Sequence, residues 1–367
     1  MAVRSLHVIT STARRGAETF ATDLVRELNT GDHKARVVAL HPSVTGQTHD
    51  VPVLGASRRS PATLAKLRRA AKKADIVVAH GSSTLEACAI GLAGSGVPFV
   101  YRTIGDPSYW VTSGTRRRRV SLMLRCAAGN VVLWQGAAGQ LDSGYDIPPD
   151  RLTVIPNAVP HLRFPFAGAA QRREAREHFG ISPAIPCVGY VGALSSEKDV
   201  AAVIAAAVDI DDAVALIAGD GPQRGQLQHH AEGFPAGKFR FLGAVSEPQL
   251  VYAAVDLLLL PSLSEGMPAV LIEAGLMGTA TVASAVGAIP EMIDDGVTGF
   301  LAEPGDHAAF SRTVAHALPT ATEVGARAAT AFRDRYTMAQ VAIAWSELLT
   351  DIAASAIEIR LRDGAGR

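Results

Sequence analysis

The fold is constrained most by a regular alternation of short apolar runs with longer, helix-patterned stretches. In the first half of the chain the segments 15–29 and 60–73 have the helical pattern. Short runs this apolar are typical of parallel strands that are buried on both faces. The alternation therefore predicts a doubly wound α/β domain. Its predicted strands are SLHVIT, ARVVAL, DIVVAHG, PFVYRT, GNVVLW and RLTVIP.

A proline-containing stretch interrupts the alternation, which then starts again. At 367 residues and 48% hydrophobic content, the chain is long enough for two cores. We expect a first domain at 1–163, a linker at 164–184, a second domain at 185–338 and terminal helices at 339–367. The two sheets are expected to face each other across a cleft. The second set of predicted strands is CVGYVGA, AVALIAGD, FRFLGAV, DLLLLPS, TATVASA and GFLAEP.

Charge and cysteine content narrow the functional class. Lys plus Arg and Asp plus Glu are both 35, so bulk charge gives no case for a nucleic-acid partner. Cys88, Cys126 and Cys187 are widely spaced and form no CxxC pair, which favours reduced thiols over a disulfide framework or a zinc site. The apolar run at the start is too short for a signal peptide, and no window of about 18 apolar residues occurs. We expect a soluble or peripheral cytoplasmic protein.

The segment SEGMPAVLIEAGLMG is the most informative about function. It places Glu265 and Glu273 eight positions apart, directly after an apolar strand. If the chain is helical from about Pro268, the helical rise separates the two acids by about 12 Å. That span suits a sugar at one end of a diphosphate and a ribose at the other. Gly266 and Met267 would offer backbone N–H groups to the phosphates; the alternative is a capped helix with two solvated acids.

The common nucleotide signatures are missing, since neither GxxxxGK[ST] nor a GxGxxG after the first strand occurs. Candidate phosphate contacts are Gly16 in TARRGAE and Lys198 in the loop GALSSEKD. A turn glycine and a solvated lysine explain these two residues as well.

Several ordered motifs resemble one family. GALSSEKD, LIAGDGPQR and FLGAVSEPQLVYAAVDLLLLPSLSEGMPAVLIEAGLMG are similar to the GRLxxEKG loop, the hxGxGPxR turn and the Glu-x7-Glu signature of retaining family four glycosyltransferases with the GT-B fold. RRGAETFATDLVREL and RLTVIPNAV resemble the amino-terminal motifs of that family. The resemblance implies two Rossmann-like domains, an acceptor on the first and a nucleotide sugar on the second. It also implies that the terminal helices return to the first domain, and that neither a metal nor a cofactor is needed.

The resemblance also implies roles for individual residues. Glu265 would contact the donor sugar, Glu273 the ribose, and Lys198 the diphosphate, which makes Glu265 and Lys198 the catalytic candidates. Gly16 would let the first domain approach the diphosphate. The remaining donor-binding candidates are Gly192, Ala193, Gly219, Gly221, Val245, Gly266, Met267 and Pro268.

Two positions depart from the family pattern. Ala193 stands where the family usually has an arginine that partners Lys198 on the diphosphate. The position of the family's catalytic histidine corresponds to Ile104 or Gly105. His80 ends another predicted strand, and an ordinary buried histidine is its alternative interpretation.

Further acceptor-side candidates follow in the sequence. Arg102 and Asp106 could reach a substrate, or could form an internal pair. Trp110 could stack on a sugar or anchor its loop. The run Arg116–Arg119 begins either a basic amphipathic helix, suited to an anionic membrane or a lipid-linked acceptor, or a solvated helix face.

We therefore expect a retaining hexosyltransferase that uses a UDP- or GDP-linked donor and a small-molecule or lipid-linked acceptor. One alternative is a nucleotide-sugar epimerase of the same architecture. The other is a nucleotide-sugar-binding protein without transfer activity, which Ala193 and the absent histidine favour.

Overall fold

A computed structural model describes residues 2–44, 46–110 and 113–365, without the side chains of residues 359–365. The chain divides into two compact units. Unit 1 contains the chain up to Ala158 and again from Met338, and unit 2 is Val159–Thr337. Each unit has its own sheet, which agrees with the two predicted doubly wound domains.

Unit 1 is built on a parallel sheet whose strands, among the described residues, run in the order β2-β1-β3-β4-β5-β6. The strands are β1 (Arg4–Ser11), β2 (Lys34–His41), β3 (Ile76–His80), β4 (Phe99–Arg102), β5 (Gly129–Val132) and β6 (Leu152–Val154). The helices are α1 (Gly16–Leu28), α2 (Pro61–Ala71), α3 (Ser82–Gly91), α4 (Gly114–Arg125), α5 (Gln135–Tyr145) and α14 (Met338–Ala365).

Local sequence explains why these helices begin where they do and which face they bury. Ser60 caps α2 by accepting a hydrogen bond from the Thr63 N–H, and Pro61 at the first helical position fits the fixed φ of proline. Phe20 and Leu24 of α1 recur one turn apart and are buried. They share one core with Trp345 of α14, which is fully buried.

Unit 2 has a second parallel sheet, with the order β12-β11-β10-β7-β8-β9 among the described residues. The strands are β7 (Cys187–Val191), β8 (Val214–Ala218), β9 (Phe239–Gly243), β10 (Leu257–Leu260), β11 (Ala280–Ser284) and β12 (Phe300–Ala302). The helices are α6 (Ala169–His178), α7 (Ala201–Val208), α8 (Arg224–Ala231), α9 (Pro248–Ala254), α10 (Ala269–Met277), α11 (Ile289–Met292), α12 (His307–Ala317) and α13 (Ala321–Arg335).

All twelve predicted strands occur, but they are not all buried on both faces. The central strands β3, β5, β7, β8 and β10 are buried throughout. The edge strands β6 and β9 are only half-buried along their length. An edge strand lacks a neighbour on one side, and its apolar sequence does not reveal that position in the sheet.

The boundary between the units differs from the predicted one. Residues 159–184, expected as the end of the first domain and a linker, belong to unit 2. The reason is an ionic anchor: Arg176 of α6 lies 2.8 Å from Asp256 and Arg172 also pairs with that carboxylate. Arg176, only 3% exposed, also donates to the Ala254 carbonyl. The anchor fixes α6 against the start of β10.

The three cysteines are free thiols. Cys88 and Cys187 are buried, which raises the pKa of each thiol to about 12, whereas Cys126 is exposed. None of the described helices combines the length and the apolar character needed to cross a membrane.

Candidate functional site

The topology of unit 2 creates a crevice between β7 and β10. From β7 the chain continues to β8 on one side, whereas β10 pairs with β7 on the other side. In open parallel sheets, ligands bind at the carboxyl ends of two strands that separate in this way. The loop after β7 contains Lys198 and the loop after β10 contains Glu265. The sheet therefore brings both predicted catalytic candidates to one place.

Lys198 and Glu265 form an ion pair across this crevice. The Lys198 Nζ lies 2.7 Å from the Glu265 Oε1, and their side chains are 24% and 9% exposed. The hydroxyl of Ser262, which is fully buried, donates to the same oxygen at 2.8 Å. The Leu263 N–H donates to the Glu197 carbonyl and joins the two loops. Sequence reasoning placed Lys198 on a phosphate and did not include Ser262.

The start of α10 offers backbone donors beside this pair. Pro268 precedes the helix in an extended conformation and gives it no side-chain cap, so the first-turn N–H groups keep their capacity for a ligand. The Gly266 carbonyl accepts from the Ala288 N–H, and Met267 is buried. Gly287 has φ +57°, and a Cβ there would lie 2.1 Å from the Glu265 carbonyl oxygen. A glycine is therefore required at position 287, where the turn after β11 packs against the loop that contains Glu265.

Glu273 lies further along α10, in a different environment. Its carboxylate accepts a hydrogen bond of 2.6 Å from the hydroxyl of Tyr252, which is fully buried. Burial raises the pKa of Glu273, whereas the Tyr252 hydrogen bond and the charge of Arg163 act in the opposite direction. The sequence predicted Glu273 but not Tyr252, which precedes it by 21 positions.

The loops that follow β7, β8 and β9 pack closely against one another through glycine residues. The Gly192 N–H donates to the Ala218 carbonyl and the Gly219 N–H to the Gly243 carbonyl. A Cβ on Gly219, whose φ is +147°, would lie 1.7 Å from the Gly192 oxygen. A Cβ on Gly221 would come within 2.4 Å of the Leu194 oxygen. Only glycine allows these loops to approach so closely.

The remaining donor candidates, Ala193 and Val245, follow the carboxyl ends of β7 and β9. The Ala193 carbonyl accepts from the Tyr190 hydroxyl at 2.7 Å, so this residue contributes backbone and a methyl group where the family has an arginine. Val245 is half-buried in the loop after β9. Asp199, at φ +46°, follows Lys198 and lies 2.9 Å from the Nε2 of His307, which ties the Lys198 loop to α12.

Unit 1 has a corresponding crevice where β1 and β3 are neighbours. A cavity of about 330 Å³ lies there, and its walls include Thr10, Glu18, His80, Ser82, Tyr101 and Trp110. Gly16, predicted as a phosphate contact, begins α1 and is exposed. A Cβ at Gly16 would meet no described protein atom within 4 Å, so packing inside unit 1 does not require a glycine. Glu18 is a wall residue that sequence reasoning missed, although the position of an acid in the first turn of α1 was visible.

His80 belongs to a buried chain of polar groups. Its Nε2 lies 3.1 Å from the His7 Nδ1, and the His7 Nε2 lies 3.1 Å from the Ser5 hydroxyl. Burial lowers the pKa of His7 to about 3 and that of His80 well below 6.5. His80 also packs against Phe20 and Trp345. Both histidines are therefore neutral at ordinary pH.

The other acceptor-side candidates have structural partners. Arg102 is 1% exposed, donates to Asn157 at 3.1 Å and lies 3.7 Å over the Phe20 ring; burial lowers the pKa of its guanidinium to about 9. Asp106 accepts from the Ser108 N–H and caps a short 3₁₀ helix. The internal pair considered between Arg102 and Asp106 is therefore replaced by two separate contacts. Trp110 lines the cavity and packs between Tyr101 and Tyr145.

Arg116–Arg119 lie on α4, and all four side chains are exposed. Leu122 on the same helix is 65% exposed. Among the residues that the structure describes, no group of three or more His, Cys, Asp or Glu side chains is arranged to hold a metal ion.

Comparison with known proteins assigns the family. A model described as Glycosyltransferase Family 4 matches residues 14–163, and one described as Glycosyl transferases group 1 matches residues 185–319. The chain belongs to glycosyltransferase family 4. The first match lies in unit 1 except for residues 159–163, and the second lies within unit 2, so both halves of the chain match the family, as the resemblance of the motifs predicted.

Curated relatives match about half of the length of this chain. The 2-deoxystreptamine glucosyltransferase of Streptomyces kanamyceticus is 32% identical over 203 residues, which are 53% of this chain and 52% of the relative. The D-inositol 3-phosphate glycosyltransferase of Mycobacterium sp. (strain KMS) is 32% identical over 186 residues, 48% of this chain and 42% of the relative. The chain thus spans about half the length of these relatives, or less.

Solved structures show the same fold over nearly the whole chain. Anabaena HepE in complex with UDP-glucose has a TM-score of 0.84 at 21% identity, covering 95% of this chain and 100% of that one. The sucrose-phosphate synthase of Thermosynechococcus elongatus has a TM-score of 0.81 at 18% identity, covering 96% and 100%. At these identities the likeness establishes the fold, and the chain has the GT-B fold that the sequence motifs predicted.

Proposed function

We propose that this protein transfers a hexose-type sugar from a UDP- or GDP-linked donor to a small-molecule or lipid-linked acceptor, with retention of configuration and without a metal. The observation that carries the proposal is the ion pair between Lys198 and Glu265 at the crevice of unit 2, beside the uncapped start of α10. Family membership supplies the reaction class. The UDP-glucose bound by Anabaena HepE supports a UDP-linked donor.

The ion pair between Lys198 and Glu265 suggests how the donor binds. Hydroxyl groups of the donor sugar would replace the Lys198 ammonium as hydrogen-bond partners of Glu265, and Ser262 would keep that carboxylate in place. The ammonium would then be free to contact the diphosphate. As the glycosidic bond lengthens, negative charge grows on the leaving diphosphate, and a cation already in place stabilises it.

The nucleoside end of the donor has its own proposed contacts. Glu273, oriented by Tyr252, would bind the ribose hydroxyls. The glycine-packed loops around Gly192, Gly219 and Gly243 would receive the base mainly through backbone groups. Donor phosphate would meet the N–H groups at the start of α10.

Retention is proposed to proceed by same-face substitution, in which the leaving phosphate helps to deprotonate the acceptor hydroxyl. That mechanism needs no protein nucleophile, so Glu265 is not assigned the role of a glycosidase-like nucleophile. A glycosidase needs two carboxyl groups about 5–10 Å apart around the scissile bond. We therefore assign Glu265 to binding of the donor sugar.

The acceptor is proposed to bind in the cavity of unit 1. Two relatives are named for acceptors built on a six-membered cyclitol ring, 2-deoxystreptamine and D-inositol 3-phosphate. A cavity of about 330 Å³ is in the range of small-ligand sites. For a lipid-linked acceptor, the exposed Arg116–Arg119 would add contact with an anionic membrane surface.

The test is release of free nucleotide from a panel of UDP- and GDP-sugars. Wild type should hydrolyse one donor slowly, and Glu265→Ala should reduce the rate by about 10²–10³. Glu232→Ala, which removes an exposed carboxylate of unit 2, is the matched control and should leave the rate unchanged.

The other outcomes separate the alternative functions. Tight binding of a nucleotide sugar without release of nucleotide under any acceptor would favour a non-catalytic binding protein, the function that Ala193 supports. Appearance of an isomerised nucleotide sugar would favour an epimerase. Equal rates in wild type and Glu265→Ala would contradict the assigned role of Glu265.

A further inference from the structure

The wall of the unit 1 cavity includes an acidic side chain. Glu18 is 7% exposed and lines the cavity from the first turn of α1. Among the described residues its carboxyl group makes no ion pair. None of the residues described as lining the cavity is a lysine or an arginine.

The arginines near the cavity do not line its wall. Arg15 and His41 act on Glu18 from outside the wall. Arg102 is the register partner of His80 on the neighbouring strand, but its guanidinium lies over Phe20 and contacts Asn157 instead of lining the cavity. His80 lines the wall and is neutral, because burial lowers its pKa well below 6.5. Among the lining residues, Glu18 is therefore the group that can present a charge to a ligand.

The rest of the wall suits one polar ring. Trp110, which is half-buried, provides aromatic surface on which the C–H face of a ring can pack. Thr10 and Ser82 provide hydroxyl groups for hydrogen bonds. A volume of about 330 Å³ is at the small end of ligand sites, which favours a single ring over an oligosaccharide.

We propose that this cavity selects a monocyclic polyol that carries an ammonium group, with Glu18 as the counter-ion of that group. This inference rests on the proposed transfer to an acceptor bound by unit 1. A phosphorylated ring is disfavoured, because its phosphate would face a carboxylate with no cation in the wall to pair with it. Burial raises the pKa of Glu18, and an ammonium beside it favours the ionised carboxylate again.

The experiment compares three acceptors that share one ring configuration: scyllo-inosamine, scyllo-inositol and scyllo-inositol phosphate. With UDP-glucose as donor, wild type should favour the amine over the neutral ring by about 10- to 100-fold in kcat/KM, the range expected for a charge-assisted hydrogen bond. The phosphate should be the poorest substrate. Glu18→Gln keeps the shape and removes the charge, and should reduce the preference to about 3-fold or less.

Glu27→Gln is the matched control, since it removes the same charge from α1 at a residue that does not line the cavity. Binding of the three rings is also measured by ligand-observed NMR, which needs no turnover. Preference for the phosphate, or an undiminished preference in Glu18→Gln, would overturn the inference. If no donor is hydrolysed but the amine still binds through Glu18, the proposed function fails and the cavity assignment stands.

Discussion

At the scale of single residues, the main finding is that two predicted site residues are bonded to each other. The sequence identified Lys198 and Glu265 separately, through a loop after one strand and a turn before one helix. They are 67 positions apart, and no local pattern records their contact of 2.7 Å. Parallel pairing of β7 with β10 brings them together. The position of each residue was predictable from sequence, but the pair was not.

Lys198→Ala is expected to weaken the binding of UDP and GDP by about 10- to 100-fold, because a charge-assisted contact to the diphosphate is lost. The same change leaves the poorly exposed Glu265 carboxylate without its cation and should lower the free energy of unfolding by about 1–3 kcal/mol. Calorimetric titration and urea unfolding measure the two effects.

Lys72→Ala, at an exposed position in unit 1, controls for loss of a positive charge. Adding Glu265→Gln to Lys198→Ala should restore part of the stability without restoring nucleotide affinity, since the stranded charge is removed. An unchanged affinity of Lys198→Ala for both nucleotides would exclude Lys198 from the phosphate site.

At the scale of elements, the loops after β7 and β8 depend on glycine for a reason that the sequence only hints at. Gly219 is in the turn LIAGDGPQR, which was predicted to receive the nucleotide. The need for a glycine at position 219 arises from tertiary packing, because a Cβ there would lie 1.7 Å from the carbonyl oxygen of Gly192, on another loop. Ordinary turn chemistry at Gly219 would not involve that second loop.

Gly219→Ala should therefore force the two loops apart, reduce nucleotide affinity at least about 10-fold and lower the free energy of unfolding by about 1–3 kcal/mol. Gly225→Ala is the matched change six residues later, in α8, where a Cβ meets no described atom within 4 Å. It should raise stability by about 0.5–1 kcal/mol, since alanine is the better helix former. Similar effects of the two substitutions on nucleotide affinity would show that backbone approach is not the cause.

At the scale of the whole molecule, the buried histidines of unit 1 link folding to pH. The pKa of His7 is lowered from 6.5 to about 3 by burial, and that of His80 is lowered well below 6.5 by burial and by His7. Above pH 6.5 both residues are neutral in the folded and unfolded states. Below it the unfolded chain takes up protons that the folded chain does not, so stability falls as pH falls.

We expect the free energy of unfolding to fall between pH 7 and 5, with up to about 1.4 kcal/mol per pH unit from each histidine. Glu18 and Glu273, whose pKa values are raised above 4.5 by burial, act in the opposite direction, because the folded chain takes up these two protons at a higher pH than the unfolded chain does. His7→Asn should flatten the dependence measured by urea unfolding at several pH values. The same substitution at His161, which is exposed, should not; an equal slope in wild type and His7→Asn would contradict this origin.

The sequence alone determined the twelve strands, the two α/β units and the positions of Glu265, Lys198 and Glu273, because strand burial and turn chemistry are local and leave local patterns. Only the tertiary structure decided that residues 159–184 belong to unit 2, through Arg176 and Asp256. It also decided that Lys198 pairs with Glu265, and that Glu18 lines a cavity with His80. These contacts join residues distant in the chain, and the order of strands in each sheet, which sets them, is not written in any one segment.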